Sequence, residues 1–265
     1  MPTTSYAWHG EDICIGHLML AIFGLSRGFY VDIGAHHPFN LSNTAILYAE
    51  GWRGINIDAA PGSMDAIREH RPEDINLEIA IAAERGIKTF YCLSDGGLSG
   101  FLSDEKLGVH KAAGHQVIRE LEMGCTPIND ILSVNVQNRN IDLLNIDTEG
   151  YDEQIIRSLD LSRWRPTMIA AEILEFGPIS EVMENGICRY LEDHRTAVFA
   201  LSFNLNFHRC SKIYRGSPAQ AISNKSIRPS LLQSAQAPRL LVPWINWGDS
   251  PCRSTISRQR AAPTL

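Results

Sequence analysis

The chain reads as a doubly wound α/β protein whose mostly parallel sheet ends in an antiparallel hairpin. Three observations predict this. Strand-length apolar runs alternate with helical patterns through the first 214 residues. The first, second and fourth of these runs end on loops that hold acids, and the last two β runs are joined too tightly for a crossover helix.

With 265 residues and 44% hydrophobic content, the chain can bury the core of one domain, placed at residues 1–214. Residues 215–265 are a different kind of sequence, rich in Ser, Pro, Gln and Ala and without sustained periodicity. They hold seven Lys/Arg against the single acid Asp249, so the tail is near +6 and the body near −12 within a net charge of −6. A mostly disordered extension is expected there, with one apolar patch around Leu240 to Trp247. An acidic body makes nucleic acid a poor partner. Six scattered cysteines without a C-x-x-C pair suit reduced thiols in a cytoplasmic enzyme. The first apolar stretch lacks a basic leader and is broken by Gly16, His17 and Gly24, so neither a signal peptide nor a transmembrane segment is expected.

The elements follow in order. A helix over Glu11–Leu25 precedes a buried strand at Phe29–Gly34. Ser42 caps a helix through Tyr48, Gly51 ends it, and residues 54–58 form a second strand. Pro61 opens a helix to His70, followed by a strand from Ile75 to Ala82 with Lys88–Leu93 as its hairpin partner. Residues 94–124 read as loop-rich. A fourth parallel strand at Ile141–Asp147, a helix at Tyr151–Leu159, a strand at Thr167–Ile173 and a helix at Ile179–His194 come next. Strands near Ala197–Phe203 and Leu205–Tyr214 close the domain around a turn at Asn204. Trp52 and Trp164 are expected to pack at helix ends.

In such sheets ligands bind at the carboxyl ends of the strands. The first of these loops reads Asp32-Ile33-Gly34-Ala35-His36-His37-Pro38, the second begins with Asp58-Ala59, and the fourth holds Asp147-Thr148-Glu149-Gly150. A dinucleotide needs further glycines so that bare backbone can approach a pyrophosphate, but His36 and Phe39 occupy those slots, which speaks against an NAD-dependent oxidoreductase. One glycine, Gly34, with an acid at the end of strand two suits a nucleoside without phosphates, Asp58 accepting from both ribose hydroxyls. S-adenosylmethionine fits, and its sulfonium charge suits a pocket collecting Asp32, Asp58, Asp147 and Glu149. Plainer readings stand beside these: Asp32 as a turn cap, Asp58 as ordinary loop, and His36 and His37 both structural.

Tyr30 to Pro38, followed by Ser42-Asn43-Thr44 and by Gly51 to Asp58, resembles the FkbM-type methyltransferase family, and Ile141 to Asp152 looks like that family's second signature. The resemblance covers roughly Gly10 to Tyr214. It implies a seven-stranded class I methyltransferase (Rossmann-like) fold, S-adenosylmethionine as cofactor and usually O-methylation, with sugars and polyketide-type hydroxyls among the acceptors. The residues assigned to cofactor binding at these strand ends are Asp32, Gly34, Ala35, Asp58, Ala59 and Asp147. His36-His37-Pro38 and Asn145 depart from the residues many members carry, and the tail has no counterpart. Cys125 to Asp130 resembles the family segment leading into a helix before strand four.

Methyl transfer to a hydroxyl needs alignment and a group to take the proton. Glu149 is the first candidate, with Asp147, His36 and His37 behind it. One histidine should point into the site and one out. Two carboxylates could instead hold a divalent ion, but two alone do not make a metal site, and none is assigned. Glu149 and Asp147 could also merely face the positive end of the next helix. Residues 93–101 either close over the ligand or simply leave a hairpin. A non-catalytic nucleoside-binding protein of the same fold is the main rival reading.

Overall fold

A computed structural model describes residues 4–173, 184–194, 197–205 and 208–216, the last two segments as backbone. The expected tail, apart from its first two residues, and the start of the helix expected at Ile179 lie outside the described residues. In chain order the elements are α1 Glu11–Ala21, β1 Phe29–Ile33, α2 Ala45–Ala49, β2 Arg53–Asp58, α3 Ser63–His70, β3 Ile75–Glu78, β4 Ala80–Ala82 and β5 Gly86–Leu93. After a 3-10 turn at Gly96–Leu98 come α4 Asp104–Ala112, β6 Val117–Pro127, α5 Ile128–Asn135 and β7 Leu143–Ile146. The described elements end with α6 Asp152–Ser158, β8 Met168–Ile173, α7 Gly186–Asp193, β9 Ala197–Leu205 and β10 His208–Gly216.

The main sheet has the order β3-β2-β1-β7-β8-β10-β9, parallel from β3 to β8, with β10 antiparallel to both neighbours. This is the mostly parallel α/β sheet expected. Period-2 alternation sorts its side chains onto two faces. Val31, Ile33, Ile55, Ile57, Leu144 and Ile146 face the main core, which α5, α6 and α7 cover with Leu132, Ile155 and Leu191. Tyr30, Leu143, Met168 and Ala170 face the opposite side and pack on Ile15 and Met19 of α1 and on Trp52. Burial on both faces explains why β1 reads as a near-continuous apolar run, interrupted only by Asp32. Trp52 and Trp164 are both buried.

Three expectations for the middle of the chain need correcting. The run Ile75–Ala82 is two strands: β3 pairs with β2, whereas β4 leaves for a second, three-stranded sheet of order β4-β6-β5. Lys88–Leu93, within β5, does not hairpin onto that run; it pairs antiparallel with β6, which inserts between β4 and β5 so that Ala80 and Gly86 both face Cys125. The loop-rich reading of residues 94–124 missed β6 and α4 because β6 alternates half-buried and exposed positions and carries Arg119, Glu120 and Glu122, which mask the apolar signal. The last turn also moves. Asn204 pairs with Arg209 inside the ladder, so the reversal falls after Leu205. Among the described residues no helix is long and apolar enough to cross a membrane.

Candidate active site

The strand order reverses at β1, which runs between β2 and β7. Ile33 stands opposite Ile57 on one side and Ile146 on the other, so Gly34, Asp58 and Asp147 leave the sheet at one level. This is the switch point at which open α/β sheets bind ligands. Gly34 has φ +84° and donates its N–H to the Ile57 carbonyl at 2.8 Å. A Cβ there would lie 1.8 Å from the Asp147 carbonyl oxygen. The glycine is required by the crossing of two strand ends, which is a different reason from the approach of a pyrophosphate.

Beneath this level lies a buried polar layer that holds the first loop. Asp32, 2% exposed, accepts from Thr44 Oγ1 at 2.5 Å and from Asn145 Nδ2 at 2.8 Å. Burial pushes its carboxyl above the usual range, against these two bonds and the nearby Arg71. Arg71, 1% exposed, donates to Thr44 Oγ1 and Ser42 Oγ, both at 2.8 Å, and to the Pro38 carbonyl. Asn43 Nδ2 reaches Asp147 Oδ2 at 3.4 Å. The Ser42-Asn43-Thr44 segment therefore has one polar task per residue, tying the loop after β1 to Arg71, to Asp32 and to the end of β7. Asn145 keeps a donor on Asp32. The structure thus places Asp32 below the cavity, and Ala35 is buried against Met64 and Ile67. Sequence reasoning missed Arg71, because a buried arginine at a helix end looks like any surface arginine.

The cavity above is lined by Gly34, His36, Asp58, Ala59, Asp147 and Glu149 together with the apolar Ile79, Ile81, Phe90 and Phe101. Asp58 Oδ2 accepts the His36 N–H at 2.9 Å and Oδ1 the Ala60 N–H at 2.8 Å, so one carboxylate joins the loops after β1 and β2. Each of its oxygens retains a further lone pair for a ligand hydroxyl. His36 adopts φ 52° and lines the cavity. His37 is not among the lining residues. Its Nδ1 accepts from the N–H groups of Phe39 at 3.1 Å and Asn40 at 2.8 Å, shaping the turn. Burial, then His36, His70 and Arg71, lowers its pKa, which suits an imidazole that accepts at Nδ1.

Asp147 and Glu149 of the lining belong to a group of three acids. Oxygens of Asp147, Glu149 and Glu172 lie within 4.8 Å of one another, the donor set a divalent cation takes. Glu149 at φ 55° and Gly150 at φ 102° bend the chain, and Asp152 clasps the bend by accepting from Thr148 Oγ1 at 2.9 Å and from the Thr148 and Gly150 N–H groups, both at 3.3 Å. Burial foremost, then Glu172 and Asp147, pushes the Glu149 carboxyl up to about 9; burial, then Asp147, pushes Asp152 up to about 6. Lys106 of α4 donates from Nζ to the Glu149 carbonyl at 2.9 Å and brings an ammonium beside the acids. Burial holds its pKa below the usual value against the pull of Glu149, Asp152 and Glu172. Neither Glu172 nor Lys106 was foreseen. Glu172 left a signal, a single acid near the end of an otherwise apolar strand, whereas Lys106 lay in the section read as loop.

Residues 93–101 return onto the site. Ser99 Oγ accepts the Leu93 N–H at 3.0 Å, Tyr91 and Gly100 exchange backbone bonds at 3.0 and 3.2 Å, and Gly97, Gly100 and Phe101 line the cavity. The segment is thus a wall of the site rather than a plain hairpin exit.

Among solved structures the chain is similar to the O-methyltransferase from Bacillus cereus in complex with S-adenosylhomocysteine, at 12% identity, over 82% of this chain and 84% of that one, with a TM-score of 0.42. It is similar to precorrin-6Y C5,15-methyltransferase from Geobacter metallireducens at 15% identity, over 77% of this chain and 87% of that one, with a TM-score of 0.40. For Aeropyrum pernix fibrillarin with bound S-adenosyl-L-methionine the values are 10%, 77%, 72% and 0.43. No curated protein matches the sequence significantly. Family assignment rests instead on the match of residues 32–197, more than half of the chain, to the methyltransferase FkbM domain. The chain belongs to the FkbM methyltransferase family, and its cofactor is S-adenosylmethionine.

Proposed function

We propose that the protein methylates a hydroxyl of a small-molecule or carbohydrate acceptor. The observation that carries this reading is the gathering of Asp58, Asp147 and Glu149 around one cavity at the sheet's switch point, with Glu172 beside the last two. The residues fit the cofactor. Asp58, already fixed by two backbone N–H groups, accepts from the ribose diol, and Ile79, Ile81 and Phe90 offer an apolar slot for the base. The acids supply the negative field that a cationic sulfur requires.

When bound, S-adenosylmethionine supplies an electrophilic methyl: the carbon–sulfur bond breaks as the acceptor oxygen forms the new bond, and neutral S-adenosylhomocysteine is left. This chain's task is to align the oxygen, exclude water and take its proton. Glu149 is suited to the last step, since a carboxylate whose pKa lies well above 4.5 is a better base than an ordinary glutamate once it is ionised. His36 is the second group within the cavity able to take a proton.

The experiment is transfer of labelled methyl from S-adenosylmethionine into a metabolite and glycan extract of the host, with the labelled product identified by mass. Label in an alkali-stable methyl ether of a small molecule or sugar is the expected result. Tight binding of cofactor with no labelled product in any extract would instead favour a non-catalytic nucleoside-binding role.

A further inference from the structure

Beside the cofactor cavity lies a second, larger groove with a volume of about 490 Å³, within the range of about 300–1,000 Å³ that small-molecule sites occupy. The two spaces share Phe101 and Tyr151 as a common wall. They also meet at the bend after β7, where Glu149 lines the cavity and the next residue, Gly150, lines the groove. The groove contains aromatic surface from Tyr91, Phe101 and Tyr151, and among the described residues its charged lining is Lys88 and Lys106. Lys88 Nζ sits 5.4 Å from the centre of the Tyr151 ring. Lys106 Nζ uses one of its three N–H donors on the Glu149 carbonyl. In a chain of net charge −6, a groove whose described lining residues hold two ammonium groups and no carboxylate runs against the charge of the chain.

We propose that this groove holds the acceptor, and that the acceptor is a hydroxylated ring compound carrying an anionic group, either carboxylate or phosphate. The inference rests on the methyltransferase reading of the adjoining cavity. A ring stacks on Tyr91 and Tyr151, its anionic group lies against Lys88 and Lys106, and the hydroxyl is presented over the Gly150 bend to Glu149. The acids around Glu149 would repel a second anion in the cofactor cavity itself, so the lysines fix which end of the acceptor faces the methyl group.

The test uses the full chain saturated with S-adenosylhomocysteine, titrated calorimetrically with glucuronate, glucose 6-phosphate and glucose, and with 3,4-dihydroxybenzoate against 1,2-dihydroxybenzene. The expected result is at least tenfold tighter binding of the anionic member in one of the two series, with glucuronate and glucose 6-phosphate telling carboxylate from phosphate. That preference should vanish in Lys88→Gln, survive in Lys88→Arg and weaken as salt is raised, while the affinity for S-adenosylhomocysteine stays unchanged. Equal binding of charged and neutral members, no binding of either, or a preference that persists in Lys88→Gln overturns the proposal. If S-adenosylhomocysteine itself fails to bind, the cofactor reading falls and takes this inference with it; if it binds and the anions show no preference, only the inference falls.

Discussion

The Asp147 carbonyl oxygen lies where a side chain on Gly34 would have to begin, 1.8 Å from an ideal Cβ. Neither residue can yield easily. Gly34 is bonded to Ile57, Asp147 donates its N–H to the Ile33 carbonyl at 2.9 Å, and φ at Gly34 is +84°. Gly34→Ala should therefore cost about 3 kcal/mol or more, through backbone strain and the displaced end of β7. Chemical denaturation checks this, and a loss below about 1 kcal/mol would show that the strand ends can separate freely.

Asp58→Ala should weaken S-adenosylhomocysteine binding by about 1.5 to 3 kcal/mol. Sequence reasoning alone expects little cost in stability. The carboxylate also holds the N–H groups of His36 and Ala60, however, so a further loss of about 1 kcal/mol in the free protein is expected. Calorimetry and denaturation on the same sample separate the two effects, and unchanged affinity in a folded variant would remove Asp58 from the ribose.

Arg71 is the one cation among the buried groups Asp32, Thr44, Asn56 and Asp74. Arg71→Ala leaves buried carboxylates without it and should destabilise the protein by about 3 to 5 kcal/mol. Arg71→Lys should recover only part of this, because an ammonium cannot reproduce the fork that reaches Pro38, Ser42 and Thr44 together. Equal stability of the two variants would argue that shape and volume, rather than the fork, matter there.

Glu149 and Asp152 both have folded-state pKa values above their unfolded ones. Their contribution to stability is then fully present below pH about 4 and is lost as pH rises, through about 6 for Asp152 and about 9 for Glu149. The cofactor-free protein should melt lower at pH 8.5 than at pH 5.5, and Glu149→Gln should flatten that slope. Thermal scans across this window check the sign; a slope that is unchanged in Glu149→Gln would assign it to other groups.

A cationic ligand beside a neutral Glu149 favours its ionisation. Binding of S-adenosylmethionine at pH 7 should release a proton that binding of neutral S-adenosylhomocysteine does not, measurable by calorimetry in buffers of different ionisation enthalpy. With an acceptor in hand, Glu149→Gln should lower turnover by about 10² to 10⁴ while leaving the fold intact. A chelator should leave wild-type turnover unaltered; activity lost to the chelator and restored by Mg²⁺ would instead make Asp147, Glu149 and Glu172 ligands.

Much of the site was legible because it follows from strand ends. Gly34, Asp58, Asp147 and Glu149 sit at or just beyond the strand ends of a parallel sheet, where order along the chain and apolar period already say which residues surface together. His36 and His37 could not be separated in that way. Adjacent residues on a loop have no fixed period, and it took the Phe39 and Asn40 N–H groups to turn one ring outward and leave the other in the cavity.

What the sequence determined by itself was the alternation that builds β1, β2, β7 and β8 as buried parallel strands, and the family signature at their ends. Local periodicity encodes both, since each face of a strand must match the layer it meets. Tertiary structure alone decided that Ile75–Ala82 divides between two sheets, that Asp32 supports the site from below, and that Glu172 and Lys106 join Glu149. These depend on partners far along the chain: Cys125 for β4, Asn145 for Asp32, and Lys106, 43 residues before Glu149, for the ammonium at its carbonyl. A carboxylate's environment is set by what folding brings within a few ångströms of it, and no spacing along the chain carries that distance.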